Sequence, residues 1–419
     1  MHFWYQFLTY LLYPFSYFFL LIRKIKKKEH SIRYKEKLSH ITELRGDGFL
    51  VWFHVASVGE LMSILPLVNK LEEENKIKKI LITSITLSSS EVLKKKISLN
   101  KKIIHQFLPL DFPKFVNKFI QHWSPDLAIF VDSEIWPNLI YKIKEKNIPL
   151  LLVNGRITNK SFIKWNLINR YAKKIFGKFD LCIASNKETE NHLKILGARN
   201  IKNYGNLKFS SSKINFNNKL SSPLLENIQS RKVWCASSTH DSEEVFCAKV
   251  HLNMKKKYKN ILTIIIPRHI NRVKIIEQNL KKLDLKIASY NNLNKFNENT
   301  DILLVDAFGE TTKFFKILKC VFLGGSLIKH GGQNPIEPAR MGCKVYHGPY
   351  IKNFSEIYSY LRDLGVAHEV NNINSLSQHL IKEFSINQEN NVDVMSKIDS
   401  HGSNILDNIM KEIKSYINI

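Results

Sequence analysis

Carboxylates and cations at the ends of short apolar runs are the groups in this chain best placed for chemistry. Glu60 follows Ser57-Val58-Gly59 at the end of one such run, and Leu61, Ile64, Leu65 and Val68 beyond it trace one helix face. At that strand-to-helix turn a carboxylate either caps the helix N-terminus or acts as a general base on a hydroxyl. Asp132 and Glu134, within Asp132-Ser133-Glu134-Ile135-Trp136-Pro137-Asn138, share one face of an extended chain. The pair suits acid–base work or a metal. No His or third acid accompanies it, and capping of a helix that begins near Pro137 also accounts for it. Arg156, in Asn154-Gly155-Arg156, and Lys208, in Gly205-Asn206-Leu207-Lys208-Phe209, can hold anionic groups, the first by a planar fork and the second as a point charge. In a chain with 63 Lys and Arg residues, each can equally be a solvated surface residue.

The C-terminal half carries a different chemistry. Pro267-Arg268-His269 ends one apolar run, and Asp306-Ala307-Phe308-Gly309-Glu310-Thr311 follows another. Gly324, Gly325, Ser326, Gly331 and Gly332 surround a third run end, and Asn334-Pro335-Ile336-Glu337 then reads as a helix start. Glycines before a helix start let a backbone approach a phosphate and offer N–H donors. Neither G-x-G-x-x-G nor G-x-x-x-x-G-K-[ST] occurs, so the expectation is a nucleotide-phosphate site of neither the dinucleotide nor the P-loop type.

These groups need a scaffold of alternating strands and helices. Apolar runs at 49–56, 79–84, 103–109, 126–131, 149–154 and 180–185 fill the first half, and runs at 232–236, 261–267, 301–305, 320–324 and 344–347 the second. Short strands that are apolar on both faces, alternating with helices, predict parallel sheets covered on both sides. The expected architecture is α/β: two Rossmann-like, doubly wound domains facing a central cleft, with ligands at the carboxyl ends of the strands. The expected boundaries are an N-terminal anchor with its basic flank at 1–28, a first domain at 29–209, a Ser- and Asn-rich linker at 210–231 and a second domain at 232–419.

Composition narrows the partners. At 44% hydrophobic and 24% charged residues the chain is an ordinary folded protein rather than a disordered or fibrous one. A net charge of +26 points to nucleic acid, an anionic membrane surface or a phosphorylated substrate, although part of it follows a general enrichment in Lys, Asn and Ile. Five cysteines without a C-x-x-C pair argue against a disulfide framework or a zinc ribbon and fit a reducing compartment. No RNP aromatics or zinc finger supports nucleic-acid binding. Residues 3–22 carry no formal charge and end abruptly at Arg23-Lys24-Ile25-Lys26-Lys27-Lys28. That order is the reverse of a cleaved signal peptide and predicts a retained anchor, spanning or lying in the interface, with the rest of the chain on the cytoplasmic side.

The ordered set of short motifs resembles the 3-deoxy-D-manno-octulosonic acid (Kdo) transferases, the glycosyltransferases that attach Kdo to the lipid A precursor of lipopolysaccharide. It comprises Ser57-Val58-Gly59-Glu60, Ser133-Glu134-Ile135-Trp136-Pro137-Asn138, Gly205-Asn206-Leu207-Lys208-Phe209, Ser238-Thr239-His240-Asp241 with Glu243-Glu244, Pro267-Arg268-His269, and Gly324-Gly325-Ser326 with Gly331-Gly332-Gln333-Asn334-Pro335-Ile336-Glu337. The resemblance implies a GT-B fold, CMP-Kdo as donor, lipid IVA as acceptor, and an inverting displacement with Glu60 as base. By the same resemblance the nucleotide contacts fall on Pro267, Arg268, Gly309, Glu310, Thr311, Asn334, Pro335, Ile336 and Glu337. Lys208 and Asp132 would stabilise the transition state, with Arg156 and Ser326 in support. Many relatives carry Glu where this chain has Asp132, which leaves Glu134 as the alternative. Thr311, Gly155 and Gln333 also depart from the usual apolar residue, Ala and His. The resemblance implies no cofactor and no metal, CMP-Kdo and a phosphorylated glycolipid as partners, and a place on the inner membrane. Rival expectations are a GT-B enzyme with another nucleotide sugar, and a basic membrane-surface or nucleic-acid-binding scaffold without catalysis.

Overall fold

The computed structural model describes residues 1–97, 102–210, 220–386 and 392–418. Part of the expected linker, 211–219, lies outside them; its remainder includes a helix, Ser222–Gln229. The chain divides into two compact units, 1–212 together with 401–419, and 213–400.

The first unit is built on a seven-stranded parallel sheet. Its strands are β1 (Phe49–His54), β2 (Ile77–Ser84), β3 (Ile103–Phe107), β4 (Leu127–Val131), β5 (Leu150–Gly155), β6 (Leu181–Ala184) and β7 (Ile201–Asn203), in the order β3-β2-β1-β4-β5-β6-β7. Helices cover both faces, so β1, β4, β5 and β6 are buried almost throughout. Trp52, Phe119, Trp123 and Phe130 pack together in its core. The chain begins at β1, winds outward to β3, and then returns to place β4 on the other side of β1. The connections leaving β1 and β4 therefore diverge, and the crevice at their carboxyl ends is where such sheets bind ligands.

The second unit repeats the plan with β8 (Lys232–Thr239), β9 (Ile261–Pro267), β10 (Ile287–Ser289), β11 (Ile302–Leu304), β12 (Cys320–Leu323), β13 (Lys344–His347) and β14 (Ala367–Glu369). Their order is β10-β11-β9-β8-β12-β13-β14, again all parallel, with the reversal between β8 and β12. Trp234, Ile265, Phe322 and Tyr346 lie in its core. Every expected apolar run carries a strand. The strands not expected are β7, β10 and β14, each three residues long and at a sheet edge, where short, partly polar segments suffice.

The end of the chain differs from the expected boundary at 232–419. The helix Val392–Ile417 starts in the second unit, where Arg340 pairs with Asp399, and from His401 onward it belongs to the first. There Ile405, Ile409, Met410, Ile413 and Ile417 are buried, Tyr204 donates to Glu412 and Lys70 pairs with Asp407. The apolar stripe of this helix is plain in the sequence, but a stripe does not say which unit it covers.

Helix α1 (His2–Ile25) is the one helix among the described residues long and apolar enough to cross a membrane. One face docks on the first unit. His2 stacks on Tyr141 at 3.4 Å, Tyr5 donates to Asp111 at 3.0 Å, Thr9 accepts from Asn138 and Tyr13 packs on Phe115. Leu20 closes the row in a small cluster with Leu38 and Phe115. The other face exposes Phe3, Trp4, Phe7, Leu11, Phe15 and Phe18.

Candidate active site

In the first unit the site is made by the chain leaving β1 and β4. Helix α2 (Val58–Glu72) is capped by Ser57, whose hydroxyl oxygen accepts from the Glu60 N–H. The Glu60 carboxylate folds back over this turn, accepting from the Ala56 N–H at 2.7 Å and the Ser57 hydroxyl at 2.9 Å. Burial raises its pKa most; those two donors pull it down, and the nearby charges of Asp132 and Glu134 push it up, to about 7. Glu60 is thus a capping carboxylate and an easily protonated one, whereas the sequence left capping and base as alternatives.

Asp132 leaves β4 with a left-handed backbone, φ 61°. Its carbonyl accepts from the Arg156 N–H and its own N–H donates to Val153, which ties the turn to β5. Burial raises the Asp132 carboxyl, the cations Lys208 and Arg156 oppose it, and the balance stays above the ordinary value. Lys208 lies in the short turn Leu207–Ser210, held by the Leu207 N–H donating to the Asn154 side chain at 2.8 Å. The structure therefore gathers Glu60, Asp132, Glu134, Arg156 and Lys208 around one crevice.

Glu134 points into a different network. It accepts from His54 Nε2 at 3.1 Å and from the Trp136 indole at 2.9 Å. His54 Nδ1 in turn meets the Thr83 hydroxyl, which also accepts from Trp52. Burial raises Glu134, but these bonds outweigh it and hold the carboxylate below its ordinary range. Sequence reasoning missed His54. A histidine inside the apolar run Phe49–Ala56 must find a partner when buried, and that was the available signal.

In the second unit, His240 and Glu243 follow β8. Both Glu243 oxygens are occupied by backbone N–H groups: His240 and Gly325 on one, Ser326 and Leu327 on the other, at 2.7–3.1 Å. The sequence expectation had the N–H groups of this glycine-rich loop turned to a phosphate. Three of them are instead taken by an internal carboxylate, because the loop packs directly on the start of the helix after β8. A Cβ at Gly324 would stand 2.5 Å from the Ser238 carbonyl oxygen, so only glycine fits that approach. Ser326 is fully buried, donating to the Leu323 carbonyl and accepting from the Gly348 N–H, so its hydroxyl holds the loop together.

The remaining expected residues end β9 or follow β9, β11 and β12 in sequence. Pro267 ends β9 and Arg268 is exposed beyond it, its N–H on the Thr239 carbonyl. Gly309 has φ 84°, Glu310 accepts from Tyr290 and pairs with Lys313, and Thr311 opens a short helix, Thr311–Phe315. Asn334 accepts from the Ile336 N–H, Pro335 caps the helix Ile336–Arg340, and Glu337 is raised to about 7 by burial alone. Among the described residues, no three His, Cys, Asp or Glu side chains are grouped to hold a metal.

Residues 32–211 match the family model described as 3-deoxy-D-manno-octulosonic-acid transferase (kdotransferase). A 3-deoxy-D-manno-octulosonic acid transferase of Rickettsia bellii is 35% identical over 84% of this chain and 84% of its own length. The chain belongs to the Kdo transferase family. The enzyme of that name in Haemophilus influenzae is 31% identical, with 81% of both chains covered. This Kdo transferase homologue is accordingly a glycosyltransferase. Its fold is the GT-B type: the structure of a UDP-GlcNAc 2-epimerase from Neisseria meningitidis matches 88% of this chain and 99% of that one with a TM-score of 0.55, at 12% identity.

Proposed function

We propose that this transferase moves Kdo from CMP-Kdo to the lipid A precursor, with inversion at the sugar and with Glu60 as the general base. The observation that carries the proposal is the Glu60 carboxylate at the turn beyond β1, held by the Ala56 N–H and the Ser57 hydroxyl beside Asp132 and Glu134, and raised to about 7 chiefly by burial. A base tuned there is ionised often enough to act and basic enough to accept a proton. Its carboxylate takes the proton of the acceptor hydroxyl as that oxygen bonds to the anomeric carbon. The bond from that carbon to the CMP phosphate oxygen breaks at the same time, and CMP leaves with the electron pair.

Charge then builds on the leaving phosphate, and cations near it lower the barrier. We assign that role to Lys208, oriented by Asp132, with Arg156 in support. Asp132 suits this better than Glu134, since Lys208 and Arg156 act on Asp132 while Glu134 is engaged by His54 and Trp136. In the second unit Pro267, Arg268, Gly309 to Thr311 and Asn334 to Glu337 would hold CMP. The Glu337 carboxyl, half-buried and raised toward neutrality, suits sugar hydroxyls better than a phosphate. We expect no metal requirement, so excess chelator should leave the rate unchanged.

Helix α1 supports a membrane reading. Its docked face runs from His2 to Leu20, roughly 27 Å of helix. A helix spanning the bilayer would have to give up those contacts, so we place α1 in the interface, apolar face down. The basic run from Arg23 adds attraction to anionic head groups. The enzyme would then meet its glycolipid at the cytoplasmic face of the inner membrane.

The test is a transfer assay in detergent with CMP-Kdo generated in situ, lipid A precursor, and wild type beside Glu60→Gln, read by mass spectrometry of the lipid. The expected result is Kdo added by the wild type and a loss of about a hundredfold or more in the variant. A wild type that binds CMP but adds nothing would overturn the acceptor assignment. An undiminished Glu60→Gln would overturn the base.

A further inference from the structure

The crevice of the second sheet holds a group of side chains that the nucleotide contacts do not use. β9, β8 and β12 are neighbours, and each ends in or near an imidazole: His269 beyond β9, His240 beyond β8 and His330 in the loop after β12. The His240 ring centroid lies 4.2 Å from that of His330 and 5.8 Å from that of His269. The Gln333 amide reaches His240 Nε2 at 3.4 Å. Gly325 backs the pair so closely that a Cβ there would stand 3.1–3.3 Å from both the His240 and the His330 ring. The clamp of Glu243 on Gly325, Ser326 and Leu327 fixes this part of the loop against the His240 turn.

The charges around His240 are unequal in their availability. Arg272 is bound to Asp241 and Glu244, and Glu243 is filled by four N–H groups. Arg268, His269 and His330 are exposed around the buried His240. Burial and then His330, His269, Arg268 and Arg272 hold the His240 pKa down at about 4. An imidazole kept neutral first by burial and then by its neighbours is one whose pKa a bound anion raises, so that it can take a proton from solvent.

We propose that His240, with His330 and Arg268 beside it, receives an anionic group of the donor, a phosphate ester or a carboxylate, and takes up a proton from solvent when that group binds. This rests on the donor reading of the second unit given above. The imidazolium then adds a positive charge where the leaving group gathers negative charge, and it gives the proton back when the nucleotide departs. The sign is fixed by linkage: binding that raises the His240 pKa tightens as pH falls, by at most tenfold per pH unit.

The test is calorimetry on the full chain at about pH 7, above the second ionisation of the CMP phosphate at about 6, in two buffers of different ionisation enthalpy, with CMP, cytidine and free Kdo as separate ligands. CMP is expected to bind with uptake of up to one proton, and cytidine with none. Uptake with free Kdo would assign the site to the carboxylate, and uptake confined to CMP would assign it to the phosphate. His240→Asn should lose the uptake and bind CMP about tenfold more weakly. CMP and Kdo bound without proton uptake, or uptake unchanged in His240→Asn, would overturn the inference and leave the donor reading standing. A folded chain that binds neither ligand would overturn both. Should His240→Asn fail to fold, His330→Asn at an exposed position is expected to reduce uptake, and unchanged uptake there overturns the pairing.

Discussion

Glu60 and Glu243 stand at the same place in two copies of one topology, each just beyond the first strand of a seven-stranded sheet whose order reverses beside it. Their surroundings make them opposites. Glu243 receives four backbone N–H groups, which fill both oxygens and bind the glycine-rich loop to the helix after β8. Glu60 receives two donors and shares its crevice with two further carboxylates. Burial raises the pKa of both, but the carboxylate with both oxygens filled serves to bind the loop to the helix, while the one left short of donors in acidic company keeps acceptor capacity for an incoming proton. The charges acting on Glu60 itself are carboxylates, with Lys208 and Arg156 acting on Asp132, whereas imidazole and guanidinium act on His240.

The comparison predicts crossed effects of mutation. Glu243→Ala leaves four N–H groups, three of them buried, without a partner and is expected to cost at least about 3 kcal/mol in chemical denaturation. Glu60→Gln is expected to stabilise the fold at alkaline pH. With a folded pKa near 7 against an ordinary 4.5, the folded state holds a proton that the unfolded state has released. Stability therefore falls as pH rises from about 4.5 to 7, and the variant should exceed the wild type by a margin that shrinks toward acid pH. A Glu60→Gln protein less stable than Glu243→Ala would end the comparison.

Smaller effects sharpen it. Lys208→Ala is expected to lower kcat about a hundredfold with little change in KM for CMP-Kdo, since its charge is needed chiefly in the transition state. A rise in KM alone would make Lys208 a donor-binding residue instead. The double substitution Phe15→Gln and Phe18→Gln, on the exposed face of α1, is expected to slow turnover of vesicle-borne acceptor about tenfold and to leave CMP affinity unchanged. Equal turnover on vesicles would remove α1 from the membrane.

The strand runs and the turn holding Glu60 were legible in the sequence because they depend on local pattern: apolar residues on both faces, then Ser57-Val58-Gly59-Glu60. The three-residue edge strands were not, since sheet edges impose so little on composition. Nor was the return of residues 401–419 to the first unit, which depends on tertiary docking of an amphipathic helix. The glycine-rich loop is the instructive miss. Its composition signals N–H groups in need of an anion, and the anion for three of them is Glu243, some 80 residues away in sequence. Asp132 and Glu134 share a face in an extended chain, but the left-handed backbone at Asp132 sends them to different partners.

The most direct test of Glu60 as a poised base is the pH dependence of kcat/KM for the lipid acceptor at saturating CMP-Kdo, from about pH 5.5 to 8.5, with wild type and Glu60→Gln side by side. The account predicts that the wild-type rate climbs as one ionisation centred near 7 and levels above it, since only the carboxylate accepts the proton. The residual rate of Glu60→Gln should lack that rise. A flat wild-type profile, or the same rise in the variant, would contradict it.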